Sequence, residues 1–121
     1  MEYEQFWTLL ADLAAFGPFI CAVPSEGGGS ANLLGEFEVR HDGRENVFHV
    51  KDNKDHVHLK PEHFIKLSFS YFDVGYGDEP LITVMGESGK VMMKLYYNGG
   101  DARKHYESFA AKHPEHIEGE W

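Results

Sequence analysis

Val91, Met93, Leu95 and Tyr97 fall on one side of an extended segment, while Met92, Lys94 and Tyr96 fall on the other. Only a β-strand sorts neighbouring residues in this way, because its side chains alternate between faces. The same period-two signature recurs upstream. Within residues 34–40, Phe37 and Val39 oppose Glu36 and Glu38, and within 65–72, Ile65, Leu67, Phe69 and Tyr71 oppose Lys66, Ser68 and Ser70. Shorter segments at 19–23, 47–50 and 56–60 also read as strands. Residues 81–86 and 90–97 read as a hairpin around Glu87-Ser88-Gly89.

Helical spacing is confined to the two ends. Phe6, Leu9, Leu10, Leu13 and Ala14 share one stripe that stops at Gly17-Pro18, where proline cannot continue the ladder. From Asp101 the period returns, with Ala102, Tyr106, Phe109 and Ala110 on one face and Pro114 at the end. Pro61 suits the first position of a single helical turn between strands. The sum is an α+β domain, mainly antiparallel β-sheet of about seven strands, with an N-terminal and a C-terminal helix. With 121 residues, 42% of them hydrophobic, one domain over residues 1–121 can hold a sizeable core.

Charge narrows the partners. Eleven Lys plus Arg against twenty Asp plus Glu leave a net charge of −9, too acidic for a phosphate-tracking surface or for adhesion to an anionic membrane. No apolar run approaches the roughly 20 residues that span a bilayer. No Lys or Arg precedes Arg40, so an anionic ligand has to be held in the later two-thirds. Cys21, the single cysteine, excludes an intramolecular disulfide framework and reads as a small apolar residue of the 19–23 strand. The acidic N-terminus is unlike a secretory signal, and a reducing cytoplasm is the expected compartment.

Few residues carry recognisable chemistry. The run Ser25-Glu26-Gly27-Gly28-Gly29-Ser30 lacks the spacing of a phosphate-binding loop and reads as a hairpin loop. There is no Gly-x-Ser-x-Gly elbow and no His-Glu-x-x-His helix. Histidine stands out, with eight in the chain. His56 and His58 are two apart on a strand, so both rings project from one face, a spacing that can bind a metal or present one axial ligand beside a polar neighbour. His41, His113 and His116 read as solvated. Glu36 and Glu38 share a polar strand face that can serve with a histidine as metal ligands, but a wet strand face is the better reading of them. Met85, Met92 and Met93 with Tyr96 and Tyr97 suit an adaptable pocket wall, and core packing alone accounts for Met93 and Tyr97.

Phe48-His49-Val50, then His58-Leu59-Lys60, a one-turn connection and an aliphatic-aromatic strand at 65–72 follow one another in order. A hairpin with Gly89 at its tip comes next, and its return arm is followed by Gly99-Gly100-Asp101 and a closing helix. In this order and spacing, residues 47–101 resemble the bacterial haem-utilisation superfamily of the ChuX/HutX carriers and the tandem-repeat HemS/ChuS proteins. The resemblance implies a HemS/ChuX-like fold, used either as two repeats in one chain or as a homodimer, that accepts haem against its sheet. It implies His58 as the iron ligand, with Lys60, Lys94 and Tyr96 positioning the porphyrin. These are the groups haem needs: an axial donor for iron, cations for two propionates and apolar walls.

Three functions are compatible with that resemblance. The first is a non-enzymatic haem-binding or carrier protein. The second is a scaffold of the same fold that binds another apolar ligand or a protein. The third is a haem-degrading enzyme, which needs an electron supply for which the chain has no flavin or nicotinamide motif.

Overall fold

Phe6, Trp7, Leu9, Leu10, Leu13 and Ala14 form one buried stripe of the first helix, α1 (Tyr3–Ala14), as their spacing requires. Each of the larger of these side chains contributes about 1.5–3 kcal/mol by leaving water, and together they clamp the helix onto the sheets. The structure is a computed structural model that describes residues 3–25, 27–41, 46–51, 54–73, 78–97, 102–114 and 117–119. Expectations that fall on residues 42–44, 52–53, 75–77 and 99–101 and on His116, and the facing of the Phe69, Tyr71, Ala102 and Tyr106 side chains, lie outside the described residues.

After α1 come β1 (Phe19–Pro24), β2 (Ser30–Gly35), β3 (Phe37–His41), β4 (Asn46–Val50) and β5 (His56–His58). A one-turn 3-10 helix (Pro61–His63) leads into β6 (Phe64–Asp73), followed by β7 (Asp78–Gly86), a second 3-10 turn (Glu87–Gly89) and β8 (Val91–Tyr97). The chain closes with α2 (Ala102–Lys112) and β9 (Ile117–Gly119). The strands form a six-stranded sheet in the order β2-β1-β8-β7-β6-β9 and a three-stranded sheet in the order β3-β4-β5. Neighbours are antiparallel throughout, except that β9 lies parallel to β6. One apolar cluster joins α1, the inner faces of both sheets and Phe109 of α2.

The α+β class, both helices and the hairpin match the sequence expectation, and three details differ. The alternating run 34–40 is two strands in two different sheets. Gly35, at φ +137, turns the chain between them, so Leu34 is 61% exposed on the large sheet while Phe37 is buried in the core. Alternation persists across the break, which hides it. The short β9 was not anticipated, since three residues are too few to show a period.

The third difference concerns faces. Ile65 is not on the side of Leu67: it is the extra residue of a bulge between the Phe64–Gly86 and Lys66–Met85 pairs and is 55% exposed, whereas Phe64 and Leu67 are buried. Met92 is likewise the extra residue of β8, between the Met85–Val91 and Val84–Met93 pairs. Both bulges sit at the same end of the large sheet.

Candidate functional site

The two bulges curl the end of the sheet where β6, β7 and β8 meet, and an open cleft of about 420 Å³ forms there. One wall is His58, Leu59, Lys60 and His63, from the end of β5 and the following turn. The other is the tip of the β7–β8 hairpin, from Gly86 to Met92. Proline at the first position and the His63 N–H bond to the Lys60 carbonyl, at 3.0 Å, hold the first wall in a tight turn. At the tip, the Gly86 N–H donates to the Lys90 carbonyl at 2.7 Å and the Lys90 N–H to the Glu87 carbonyl at 3.2 Å. Ser88 takes a left-handed conformation, φ 60, to complete the turn.

The floor is apolar and the rim is cationic. Leu59 is buried, and Val91 and Met92 are half-buried. Lys60, Lys90, His58 and His63 are exposed, against one carboxylate, Glu87, among the described lining residues. In a chain of net charge −9 this is a local reversal of sign. His63 Nδ1 lies 3.2 Å from Glu87 Oε2, so the two walls touch at this point.

His58 projects from the face of β5 opposite to the buried Val57, as its alternate position predicts. Its Nε2 is 3.2 Å from Nε2 of His56. The structure thus brings His58 and Lys60 to one cleft, and it does not bring Lys94 and Tyr96 there. Gly86 pairs with Phe64, whose side chain is in the core, and a Cβ on Gly86 would stand 3.2 Å from Met92 Cγ. Met92 is therefore on the inner side of the sheet, and the bulge separates it from Lys94 and Tyr96, which project from the outer face. Tyr96 lies in a row with Ile20 and Leu34 on one side and Leu81 on the other.

His63 and Lys90 are cleft residues that spacing alone did not single out. Lys90 is adjacent to the hairpin tip, and only the closing of the hairpin against the turn after β5 brings it near Lys60. The remaining candidates have other partners. His41 stacks on Trp7, with ring centroids 5.2 Å apart and planes 5° apart, and His113 Nε2 is 2.8 Å from Asp12 Oδ2. Neither is simply solvated. Glu38 Oε1 approaches His49 Nε2 at 2.8 Å without the geometry of a hydrogen bond. Among the described residues no group of three or more His, Cys, Asp or Glu is placed to hold a metal ion. Met93 and Tyr97 pack in or against the core. Cys21 is fully buried, and burial pushes its thiol up to about 12, far from a nucleophile or a metal ligand at neutral pH.

No protein-family model matches the sequence, and no curated protein matches it. Among the described residues no helix is long and apolar enough to cross a membrane. Solved structures do match. The structure of the haem-binding protein ChuX aligns with a TM-score of 0.68 at 16% identity, over 93% of this chain and 73% of that one. A protein from Agrobacterium tumefaciens aligns at 0.64 and 12% identity, over 94% of this chain and 66% of that one. One from Erwinia carotovora aligns at 0.64 and 13%, over 94% and 71%. Nearly the whole chain thus superposes on these structures at a sequence distance where only architecture carries over, and the chain has the fold they share.

Proposed function

We propose that this protein binds haem as a non-enzymatic carrier, with His58 as the iron ligand and Lys60 beside it for a propionate. One observation carries the reading: a cationic rim over an apolar floor, in a chain that is acidic overall, with an exposed imidazole at the edge. The donor set suits the ligand. Imidazole ligates iron, Leu59, Val91 and Met92 offer apolar contact, and Lys60 and Lys90 can each make a charge-assisted bond to a carboxylate. A volume of about 420 Å³ falls within the ordinary range for small-molecule sites, and its open mouth lets a flat macrocycle protrude. The ChuX likeness supports haem over other apolar anions.

Lys94 and Tyr96 enter this reading in a different way from His58. They contact haem when the disc lies against the outer face of the large sheet, and the exposed Leu34 with the half-buried Ile20 beside Tyr96 favours that face as the place where two copies of the chain meet. The homodimer, the single domain over residues 1–121 and the cytoplasmic setting belong to the same proposal. Haem degradation has less support, because it needs a source of electrons.

Titration with hemin tests the proposal. A saturable Soret band is expected, shifted or weakened in His58→Ala. No saturable spectral change would remove the haem reading altogether and leave a scaffold of the same fold. A normal band in His58→Ala would remove His58 as the ligand.

A further inference from the structure

His56 does not line the cleft, yet its ring is held with care. Its Nδ1 lies 2.7 Å from the Lys54 carbonyl oxygen, which only accepts, so Nδ1 carries the proton and donates it. The Nε2 of a neutral ring in that tautomer is then a bare lone pair, and it faces Nε2 of His58 at 3.2 Å. Metal-ligating histidines are commonly oriented in this way, with the second ring nitrogen tied to a backbone carbonyl.

The contact satisfies a bent ring-to-ring hydrogen bond, and its spacing also fits an ion held between the two nitrogens. Two nitrogens 3.2 Å apart, each about 2.1 Å from a common ion, subtend about 100° at it, close to the tetrahedral angle. The same construction puts the ring centroids about 4.9 Å apart, and they are 4.7 Å apart, with planes at 86°. Rings meeting end to end across a straight N–H···N bond would stand well beyond that separation. Both side chains are exposed, so an ion can reach them and water can fill its other positions.

We propose that His56 and His58 form a two-imidazole chelate for a divalent late first-row transition ion, of the zinc, copper or nickel kind, at the exposed edge of the small sheet. Imidazole nitrogen suits these ions, and the β-strand supplies the chelate because residues two apart share a face. The proposal goes beyond the haem reading and does not depend on it; the two share His58, so haem iron and the ion compete for that ring, and only His56 is peculiar to the ion site.

The test uses the ligand-free, full-length protein. Calorimetric titration with Zn(II) should show saturable binding that His56→Ala and His58→Ala each weaken by about tenfold or more, and that His63→Ala leaves unchanged. The Cu(II) complex should show nitrogen hyperfine structure from two imidazoles, reduced to at most one in either variant. His56→Gln and far-UV circular dichroism guard against a folding defect. Binding that survives both alanine substitutions, or a copper spectrum that His56→Ala does not alter, overturns the proposal. His56→Ala should retain the hemin response of the parent, so loss of the ion site and failure of the haem reading are separate results.

Discussion

His63 and Glu87 close the cleft on one side: Nδ1 and Oε2 are 3.2 Å apart across the junction between the turn after β5 and the hairpin tip. Their side chains are 48% and 57% exposed, so the pair contributes less than about 1 kcal/mol to stability. Its effect on an anionic ligand is larger in relative terms, because among the described residues Glu87 is the one carboxylate lining the cleft. Glu87→Gln should leave the melting temperature nearly unchanged and tighten hemin binding by up to about fivefold. Weaker binding in this variant would show that the carboxylate positions the wall and does not oppose the ligand.

Lys60 and Lys90 line the cleft from separate segments, and both are exposed. Exposed cations act on a carboxylate through a screened field, so each alanine substitution should weaken hemin binding by about two- to fivefold, and the difference should vanish near 1 M salt. Lys94→Ala distinguishes the two placements of the disc. An effect larger than that of Lys60→Ala puts the ligand on the outer face of the large sheet, and no effect keeps it in the cleft.

Gly35 and Gly89 both have positive φ, and they should respond differently to alanine. At Gly35, φ is +137 and an added Cβ would lie 3.1 Å from Val50 Cγ1, at the point where the chain changes sheets. At Gly89, φ is +71 and the space is open. Gly35→Ala should cost about 1–3 kcal/mol, read as a drop in the denaturation midpoint. Gly89→Ala should cost no more than about 1–2 kcal/mol, the backbone penalty alone. Equal losses at the two sites would show that the crossover at Gly35 is not tightly packed.

Periodicity located the helices and most strands because a buried stripe or face must repeat with the geometry of its element. Phe6, Leu9, Leu10 and Leu13 are buried as their spacing demands. Periodicity failed where one residue was inserted. The bulges at Ile65 and Met92 shift faces without altering composition, and they decide that Met92 lies on the inner side of the sheet while Lys94 and Tyr96 lie on the outer. Half of the cleft was legible: His58-Leu59-Lys60 is a continuous segment, and the facing of His56 and His58 follows from their spacing. His63 and Lys90 become cleft residues through a long-range packing of turn on hairpin, which no local pattern encodes.

Cys21 shows how completely the inner face of β1 is closed. The residue is fully buried, Sγ lies 3.7 Å from Met93 Sδ, and burial pushes the thiol from 9.0 up to about 12. Below pH 9 both folded and unfolded chains hold the proton, and this residue's contribution to stability is complete. Between pH 9 and 12 the unfolded thiol ionises while the folded one does not, so folding loses about 1.4 kcal/mol per pH unit from this group. Cys21→Ala should therefore flatten the alkaline part of the stability profile relative to the parent, whereas lysine and tyrosine titrations are common to both proteins and cancel. A thiol reagent at pH 8 should leave the folded protein unmodified and label one site per chain in denaturant. Labelling of the folded protein at the rate seen in denaturant would mean that β1 opens to solvent, and the packing of Phe19, Cys21, Met93 and Leu95 would need revision.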